Sequence, residues 1–477
     1  MGKPTGYLEF SRKEPEYRPK EERLKDYKSV ELPMSEEDIH QQAARCMDCG
    51  IPFCHGHGCS LSNVIPEFND LVFRGSWRRA LDILLSTNNF PEITGRVCPA
   101  PCETSCVAGI NGEPVTIKQI ELAIIEKGFE QGYIHPDPPS SYFNAHVAVI
   151  GSGPAGLAVA DTLNKLGYRV TVFDAAKHPG GMLRYGIPEF KLEKWIVERR
   201  IRLMEEEGVV FENSITAGHD ISFRYLQDRF DAICLSCGAR DPRDLSIPGR
   251  ELTGIFFAMD YLSQQNKRDW GEIINPMEEI TALNKSVVII GGGDTGSDCL
   301  GTALRQGAKA VNQFEILPQP PLDRAESTPW PMWPLMLRNT HAHKEGGKRK
   351  WAITTKAFIG ENRALKKLFC SEVEWQQKKT NGPQIPVEKP GSEFELYADM
   401  VILAMGFTGP EKNKIIDELN IALDERGNVK VDAKHMTNVS GVFAAGDMKS
   451  GQSLIVRAIA DGRNAAMGIV AYLEEKR

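Results

Sequence analysis

Seven of the eleven cysteines in this 477-residue chain fall between Cys46 and Cys106, in two groups. The first, CMDCGIPFCHGHGC, sets Cys46, Cys49, Cys54 and Cys59 in a loop of glycine, proline and histidine, and the second, CPAPCETSC, supplies Cys98, Cys102 and Cys106. Thiolates at C-x2-C spacing chelate a soft metal centre, and the glycines and prolines leave backbone amides free to bond inorganic sulfide, which tunes a redox potential. Zinc is the competing chemistry, but it usually takes two compact cysteine pairs. Three cysteines in nine residues followed by more come closer to the spacing of iron–sulfur ferredoxin segments. Seven cysteines cannot fill two four-ligand clusters. Either one cluster is incomplete or another residue serves, with His55 and His57 as second choices.

A second chemistry is written in glycines. The stretch Val147 to Leu157, VAVIGSGPAGL, carries Gly151, Gly153 and Gly156 at GxGxxG spacing after a short β-branched run. Gly151 permits a tight strand-to-helix turn, Gly153 admits a pyrophosphate to the backbone amides, and Gly156 lets the helix lie close on the strand. Pro154 and Ala155 open that helix, whose free N–H groups face the phosphates. A strand from Tyr168 to Phe173 then leads to Asp174, ~20 residues downstream, where a carboxylate bonds a ribose hydroxyl. The pattern recurs from Ser286 to Asp298, SVVIIGGGDTGSD, with Gly291, Gly293 and Gly296 in register and Asp294 and Thr295 opening the helix. Its second strand, Lys309 to Ile316, carries Glu315 near the end, and Arg324 follows. An acid at this place favours NAD and a base accommodates the 2′-phosphate of NADP, so the signal is mixed. One chain with two such turns binds two dinucleotides, most economically a flavin that stays and a nicotinamide that visits.

The elements that position these groups are those of a soluble globular protein, 41% hydrophobic and 25% charged. The length predicts two or three domains. No stretch offers the ~20 apolar residues of a membrane span, and the polar start lacks a secretory signal, so the expectation is a cytoplasmic protein without membrane partners. A net charge of −7 argues against a nucleic-acid surface, and the basic run Lys344 to Lys350 reads as a solvated loop. Residues 1–30 read as an arm that wraps over a neighbour or stays mobile. A capping box at Ser35 starts a helix running to about Arg45. Trp77 to Ser86 is helical, with Leu81, Leu84 and Leu85 toward a small core.

Pro136 to Ser141 (PDPPSS) marks a domain boundary. Beyond it, HPGGMLRYGIPEFKL offers Gly181, Met182 and Lys191 as cofactor contacts, and Lys191 to Glu207 reads as an amphipathic helix. Cys234 and Cys237 read as core residues rather than a redox pair. The Pro318 to Pro334 loop is stiff and aromatic, its tryptophans packing groups or part of a lid or partner contact. Near the end, GVFAAGD places Gly446 and Asp447 at a turn, and a helix from Gln452 to Tyr472, begun around Ser453, points its amides at what the turn holds.

The cysteine groups, GSGPAG, GGGDTG and GVFAAGD followed by a helix together resemble the small (β) subunit family of bacterial and archaeal glutamate synthases. Similar modules occur in dihydropyrimidine dehydrogenase and in electron-bifurcating ferredoxin–NADP transhydrogenases, and QFEILPQPP and TPWPMWP look most like the glutamate synthase branch. The resemblance covers nearly the whole chain. It implies an α/β protein with two Rossmann-like dinucleotide-binding domains, glutathione-reductase-like, preceded by a helical iron–sulfur domain. The expected division is 1–140 for the helical domain, 141–280 with 406–477 for the FAD domain, and 281–405 for an inserted NADPH domain.

It further implies two [4Fe-4S] clusters, one on Cys46, Cys49, Cys54 and Cys106, the other on Cys59, Cys98, Cys102 and Glu121 of VTIKQIELA. Related NADPH enzymes carry an arginine where Glu315 stands, which leaves NADPH against NADH open. The implied activity is electron input. A hydride passes from NADPH to FAD and electrons pass through the clusters to FMN in a large (α) subunit, where L-glutamine and 2-oxoglutarate yield two L-glutamate. Such hydride transfer needs positioning more than a side-chain acid or base, so no catalytic residue is nominated. Residue 2 is glycine, not a cysteine nucleophile, so amidotransfer is expected in another chain and the protein in a hetero-oligomer. Two other expectations stand beside this one: a reductase serving ferredoxin or a bifurcating partner, and a zinc- and nucleotide-binding module without turnover.

Overall fold

A computed structural model of the chain describes residues 2–377, 384–411 and 414–476. The first part is helical. Helices Glu36–Ala44, Ile65–Phe73, Trp77–Thr87, Pro91–Val97 and Ile117–Glu130 surround a core that includes Ile39, Phe68, Leu81, Leu84, Ile120 and Ile124. Ser35 caps the first, its hydroxyl accepting the Asp38 N–H at 3.1 Å.

Two five-stranded parallel sheets follow. The first runs in the order Val442–Ala444, Ala232–Leu235, His146–Ile150, Arg169–Asp174, Val210–Asn213. Its central strands are apolar along their length because both faces are covered, as parallel sheets require. Helices Pro154–Lys165 and Ile455–Glu475 pack on one face, and Phe223, Leu226, Ile415 and Ile421 fill the other. The two helices approach closely, since a Cβ at Gly462 would overlap the Ala155 carbonyl.

The second sheet runs Ile255–Phe257, Met400–Leu403, Ser286–Ile290, Ala310–Phe314, Lys348–Lys350. It therefore begins upstream of the boundary expected at 281. Ile255–Phe257 pairs with Val401–Leu403, and the helix Ala258–Asp269 buries Tyr261 and Leu262 against Val287 and Ile289. A three-residue strand with its partner far along the chain leaves no local pattern to read. The basic run expected as a solvated loop is also corrected: Lys348–Lys350 is the edge strand beside Asn312–Phe314, and Glu345 just before it is buried. An antiparallel sheet of Ile353–Glu361, Ala364–Gln377, Gln384–Glu388 and Phe394–Tyr397 packs through Phe358, Leu368 and Cys370 on the other face, which sequence reading missed. The chain crosses between the two units along two short strands, Asp241–Pro242 and Phe407–Gly409, which pair antiparallel.

The helical module is fastened to the first unit. Arg200, on helix Lys194–Glu206, forks onto Glu92 at 2.6 and 3.0 Å with both side chains buried. Arg463 donates to Asn89 Oδ1 at 2.8 Å and to the Ser86 carbonyl at 2.9 Å. Among the described residues no helix is long and apolar enough to cross a membrane.

Candidate redox and nucleotide sites

At the first turn Gly151 has φ +101°, and a Cβ there would come within 2.7 Å of the Ser236 carbonyl oxygen. The helix Pro154–Lys165 starts immediately after Gly153. Nothing lies within 4 Å of where a Gly153 Cβ would sit, so the space over the helix N-terminus is open to a phosphate. A Cβ at Gly156 would overlap the Gly151 carbonyl, which is why the helix can press onto the strand. Asp174 closes the turn. It accepts the Ser152 N–H at 2.7 Å, the Ser152 hydroxyl, and the Ala176 N–H at 2.8 Å.

Two later segments cover this turn. Ser152 Oγ accepts the Gly180 N–H at 2.9 Å, and Gly181 lies so near Gly153 that a Cβ would stand 2.8 Å from its Cα. Gly446 is equally close to Ala155. Asp447 accepts the Ser453 hydroxyl at 2.7 Å, and burial raises its carboxyl above the usual range. The last helix begins at Ile455, later than expected. Gln452 Oε1 takes the Phe407 N–H at 3.0 Å and Ser453 is tied to Asp447, which holds the chain extended up to Leu454. Met182 is 41% exposed at the start of a short helix, Met182–Tyr185. Lys191 turns the other way and donates to Asp298 Oδ1 at 2.8 Å.

The second turn repeats the backbone arrangement of the first. Gly291 has φ +127°, a Cβ at Gly293 meets open space, and one at Gly296 would overlap the Gly291 carbonyl. Glu315 accepts the Gly292 N–H at 2.8 Å and the Leu317 N–H at 3.0 Å, as Asp174 does with Ser152 and Ala176. Asp294 is exposed and Thr295 half-buried. The turn carbonyl is held differently in the two units. Ser236 Oγ donates to the Gly151 oxygen at 3.0 Å, whereas Gln313 Nε2 donates to the Gly291 oxygen at 2.9 Å. Gln313 Oε1 in turn meets His343 Nε2 at 2.9 Å, and the Thr340 N–H reaches His343 Nδ1 at 3.2 Å. Nδ1 therefore accepts and Nε2 carries the proton. Burial, with Arg349 and His341 nearby, lowers His343 to about 4. Arg324 is spent on its own loop, donating to the Thr328 and Met332 carbonyls at 3.0 and 2.7 Å.

The cysteines sort into two sites. Cys46, Cys49, Cys54 and Cys106 line one small cavity with Phe53 and Asn69. Cys59, Cys98 and Cys102 instead surround Glu121, which is buried and accepts the Asn63 amide at 2.8 Å. Burial pushes Glu121 up to about 7 and the Cys59 and Cys98 thiols up to about 11 and 12. Such buried acids fit a multiply charged iron centre, which would hold them deprotonated. Among the described residues no three His, Cys, Asp or Glu side chains converge as tightly as a single metal ion needs. The sites share a wall, because a Cβ at Gly58 would stand 2.6 Å from the Cys102 Cα. Cys59 and Cys98 also pack on the first unit's core, while Phe53 meets Trp330 of the proline-rich loop at a tilt, ring centres 4.7 Å apart.

Sequence reading missed Ser152, Ser236, Gln313, Asn63 and Asp298. Ser152, Gln313 and Asp298 lay inside quoted stretches, but Ser236 and Asn63 sit outside any spacing rule.

Two family models match the chain: pyridine nucleotide-disulphide oxidoreductase over residues 145–462, and dihydropyrimidine dehydrogenase domain II, 4Fe-4S cluster, over residues 23–133. A Mycobacterium tuberculosis protein named glutamate synthase [NADPH] small chain is 52% identical, covering 99% of this chain and 96% of its own length. The chain belongs to the glutamate synthase small-chain family. It is an oxidoreductase of the pyridine-nucleotide flavoprotein type with a 4Fe-4S domain. A Schizosaccharomyces pombe protein named glutamate synthase [NADH] is 44% identical over 98% of this chain, which spans 23% of that longer protein. The structure of Mycobacterium tuberculosis FprA in complex with NADPH shares the fold, at TM-score 0.55 and 18% identity, over 69% of this chain and 85% of that one.

Proposed function

We propose that this chain is the electron-input subunit of glutamate synthase. It would oxidise NADPH at the second unit and feed electrons to the FMN of a large subunit, where glutamine and 2-oxoglutarate become two glutamates. The observation that carries the reading is the layout of the two cysteine sites. The Cys59, Cys98, Cys102, Glu121 set adjoins the flavin unit, and the Cys46, Cys49, Cys54, Cys106 set lines a separate cavity of the helical module, which offers one-electron steps two sites in succession. The S. pombe relative, in which this module is part of a longer chain, supports joint action with such a partner.

In this reading FAD lies on the first turn and the nicotinamide dinucleotide on the second. FAD there supplies two-electron acceptance and one-electron release. The chain's own work is binding and placement. The amides after Gly153 and Gly293 take the pyrophosphates, and Asp174 and Glu315 fix the turns and face the riboses. Gly181, Gly446 and Asp447 close the first site. The eight cluster ligands are the seven cysteines and Glu121.

One observation favours a second donor, NADH: the Glu315 carboxylate occupies the place where a 2′-phosphate would need a positive charge, and Arg324 is engaged elsewhere. The deciding experiment is the visible spectrum of anaerobically purified protein before and after NADPH or NADH, with iron assayed on the same sample. Bleaching flavin bands over about eight irons per chain are expected. A colourless, iron-free protein that stays so after reconstitution with iron, sulfide and FAD would overturn the reading.

A further inference from the structure

The loop before helix Lys194–Glu206 leaves the first unit and lies on the second. Lys191 reaches Asp298, one turn into the helix Asp294–Arg305 that begins at the nicotinamide turn. Burial works against the Lys191 ammonium, but Asp298 and Asp294 outweigh it and hold it above its ordinary range. Next to it, buried Phe190 meets Gly301 so closely that a Cβ there would sit 3.0 Å from the ring. The Arg305 guanidinium stands 4.0 Å over the same ring, and His341 meets it edge-on at 5.4 Å.

The N-terminal arm locks this junction from outside. Its backbone doubles back, with the Arg18 N–H bonded to the Val30 carbonyl at 3.0 Å, and the Val30 N–H bonds the Phe190 carbonyl at 3.2 Å. The tip sends Arg23 to Glu345 at 3.1 Å, and Glu345 also takes Arg305 at 2.6 and 3.1 Å. Helical module, first unit and second unit thus meet at Phe190. Elsewhere the units touch where Asn266 Nδ2 donates to the Tyr185 carbonyl at 2.9 Å and Arg184 lies over Trp270 at 5.1 Å, and they are joined by the paired crossing strands, a natural hinge.

We propose that Lys191 and Asp298 are positioning residues for the hydride step: their ion pair fixes how the second unit's helix presents its nucleotide to the flavin, and the arm holds that setting. The inference rests on the reading that hydride passes between the two units. Its leverage is geometric, since a misplacement of ~1 Å costs on the order of 100-fold in rate. The pair touches neither phosphate turn, so its loss changes presentation more than binding.

The test uses the full, cofactor-loaded chain and three readouts: the limiting rate of flavin reduction by NADPH or NADH, the nucleotide Kd from its concentration dependence, and hydrogen exchange of segments 187–194 and 294–305 without nucleotide. Lys191→Met and Asp298→Asn are expected to slow the limiting rate by about 10- to 100-fold, to leave Kd within about threefold, and to raise exchange in both segments. Lys191→Arg is expected to restore both rate and protection. Arg23→Gln, remote from both turns, keeps the proposal testable if the first variants fold poorly, and should raise exchange in the same segments. A wild-type limiting rate in Lys191→Met, unchanged exchange, or an effect confined to Kd would overturn it. If wild-type flavin is reduced by neither nucleotide, the functional reading fails instead, and the exchange data still decide whether the pair sets the joint.

Discussion

The two glycine turns share one wiring scheme and differ in what surrounds them. In both, an acid at the end of the second strand accepts the N–H of the turn's second residue and another two residues past the acid. In the first unit Pro154 and Ala155 are buried, and Gly181 and Gly446 press on the turn. In the second, Asp294 and Gly293 are exposed and a carboxylate stands at the helix start. The same backbone cradle therefore suits a resident ligand when roofed and an exchanging one when open, and the difference lies in side chains supplied from far along the chain.

The largest effect should come from the anchor of the second unit. Glu345→Gln leaves Arg305 and Arg23 facing no charge in a buried setting, a loss of roughly 3–5 kcal/mol, read as a lower melting transition with flavin retained at low temperature. Equal loss of flavin would show that the two units do not differ in this way. Next, Gly156→Val and Gly296→Val insert the same bulk into equivalent places, at roughly 1–3 kcal/mol each. The first is expected to empty the protein of FAD, and the second to keep FAD while abolishing its reduction by nicotinamide nucleotides. Absorbance and single-turnover reduction separate them.

A third test uses pH, because only the second turn leans on a histidine. His343 is lowered to about 4 in the folded protein, below its unfolded value of about 6.5. Its stabilising contribution is complete above that value and is lost as pH falls toward 4, by up to about 1.4 kcal/mol per pH unit. The arrangement around Ser236 in the first unit carries no such slope. Melting curves from pH 7 to 5 should show the decline, and His343→Gln should make it shallower, leaving the part owed to His146 and His435, which burial also lowers. The smallest effect is expected from Asp294→Asn, which removes a negative charge where phosphates approach. About 0.3–1 kcal/mol corresponds to a roughly two- to fivefold lower KM for the nucleotide. An unchanged KM would mean that openness alone sets the exchange.

Much of this comparison was legible in advance. Glycine spacing reveals a turn because Gly151, Gly156, Gly291 and Gly296 answer local steric demands, and the downstream acids follow at fixed distance. The roof was not legible, since Gly446 meets Ala155 and Ser236 meets Gly151 only after the sheet has assembled. Nor was the edge role of Lys348–Lys350, whose charges read as solvated until backbone pairing with Asn312–Phe314 is seen. The arm was half legible: its polarity excludes a core, but its partners, Phe190 and Glu345, lie in other units. Arg324 had the right charge and sequence distance for a ribose phosphate, yet its loop folds back on it.

The strand order of the first sheet has a consequence for biosynthesis. Val442–Ala444 lies beside Ala232–Leu235, so on a translating ribosome the second unit emerges whole before the first can finish its own sheet. The first turn has its Gly181 cover early but gains Gly446 only when the last part of the chain is released. With FAD on the first turn, as proposed, its loading falls at the end of synthesis, after the second unit has emerged whole.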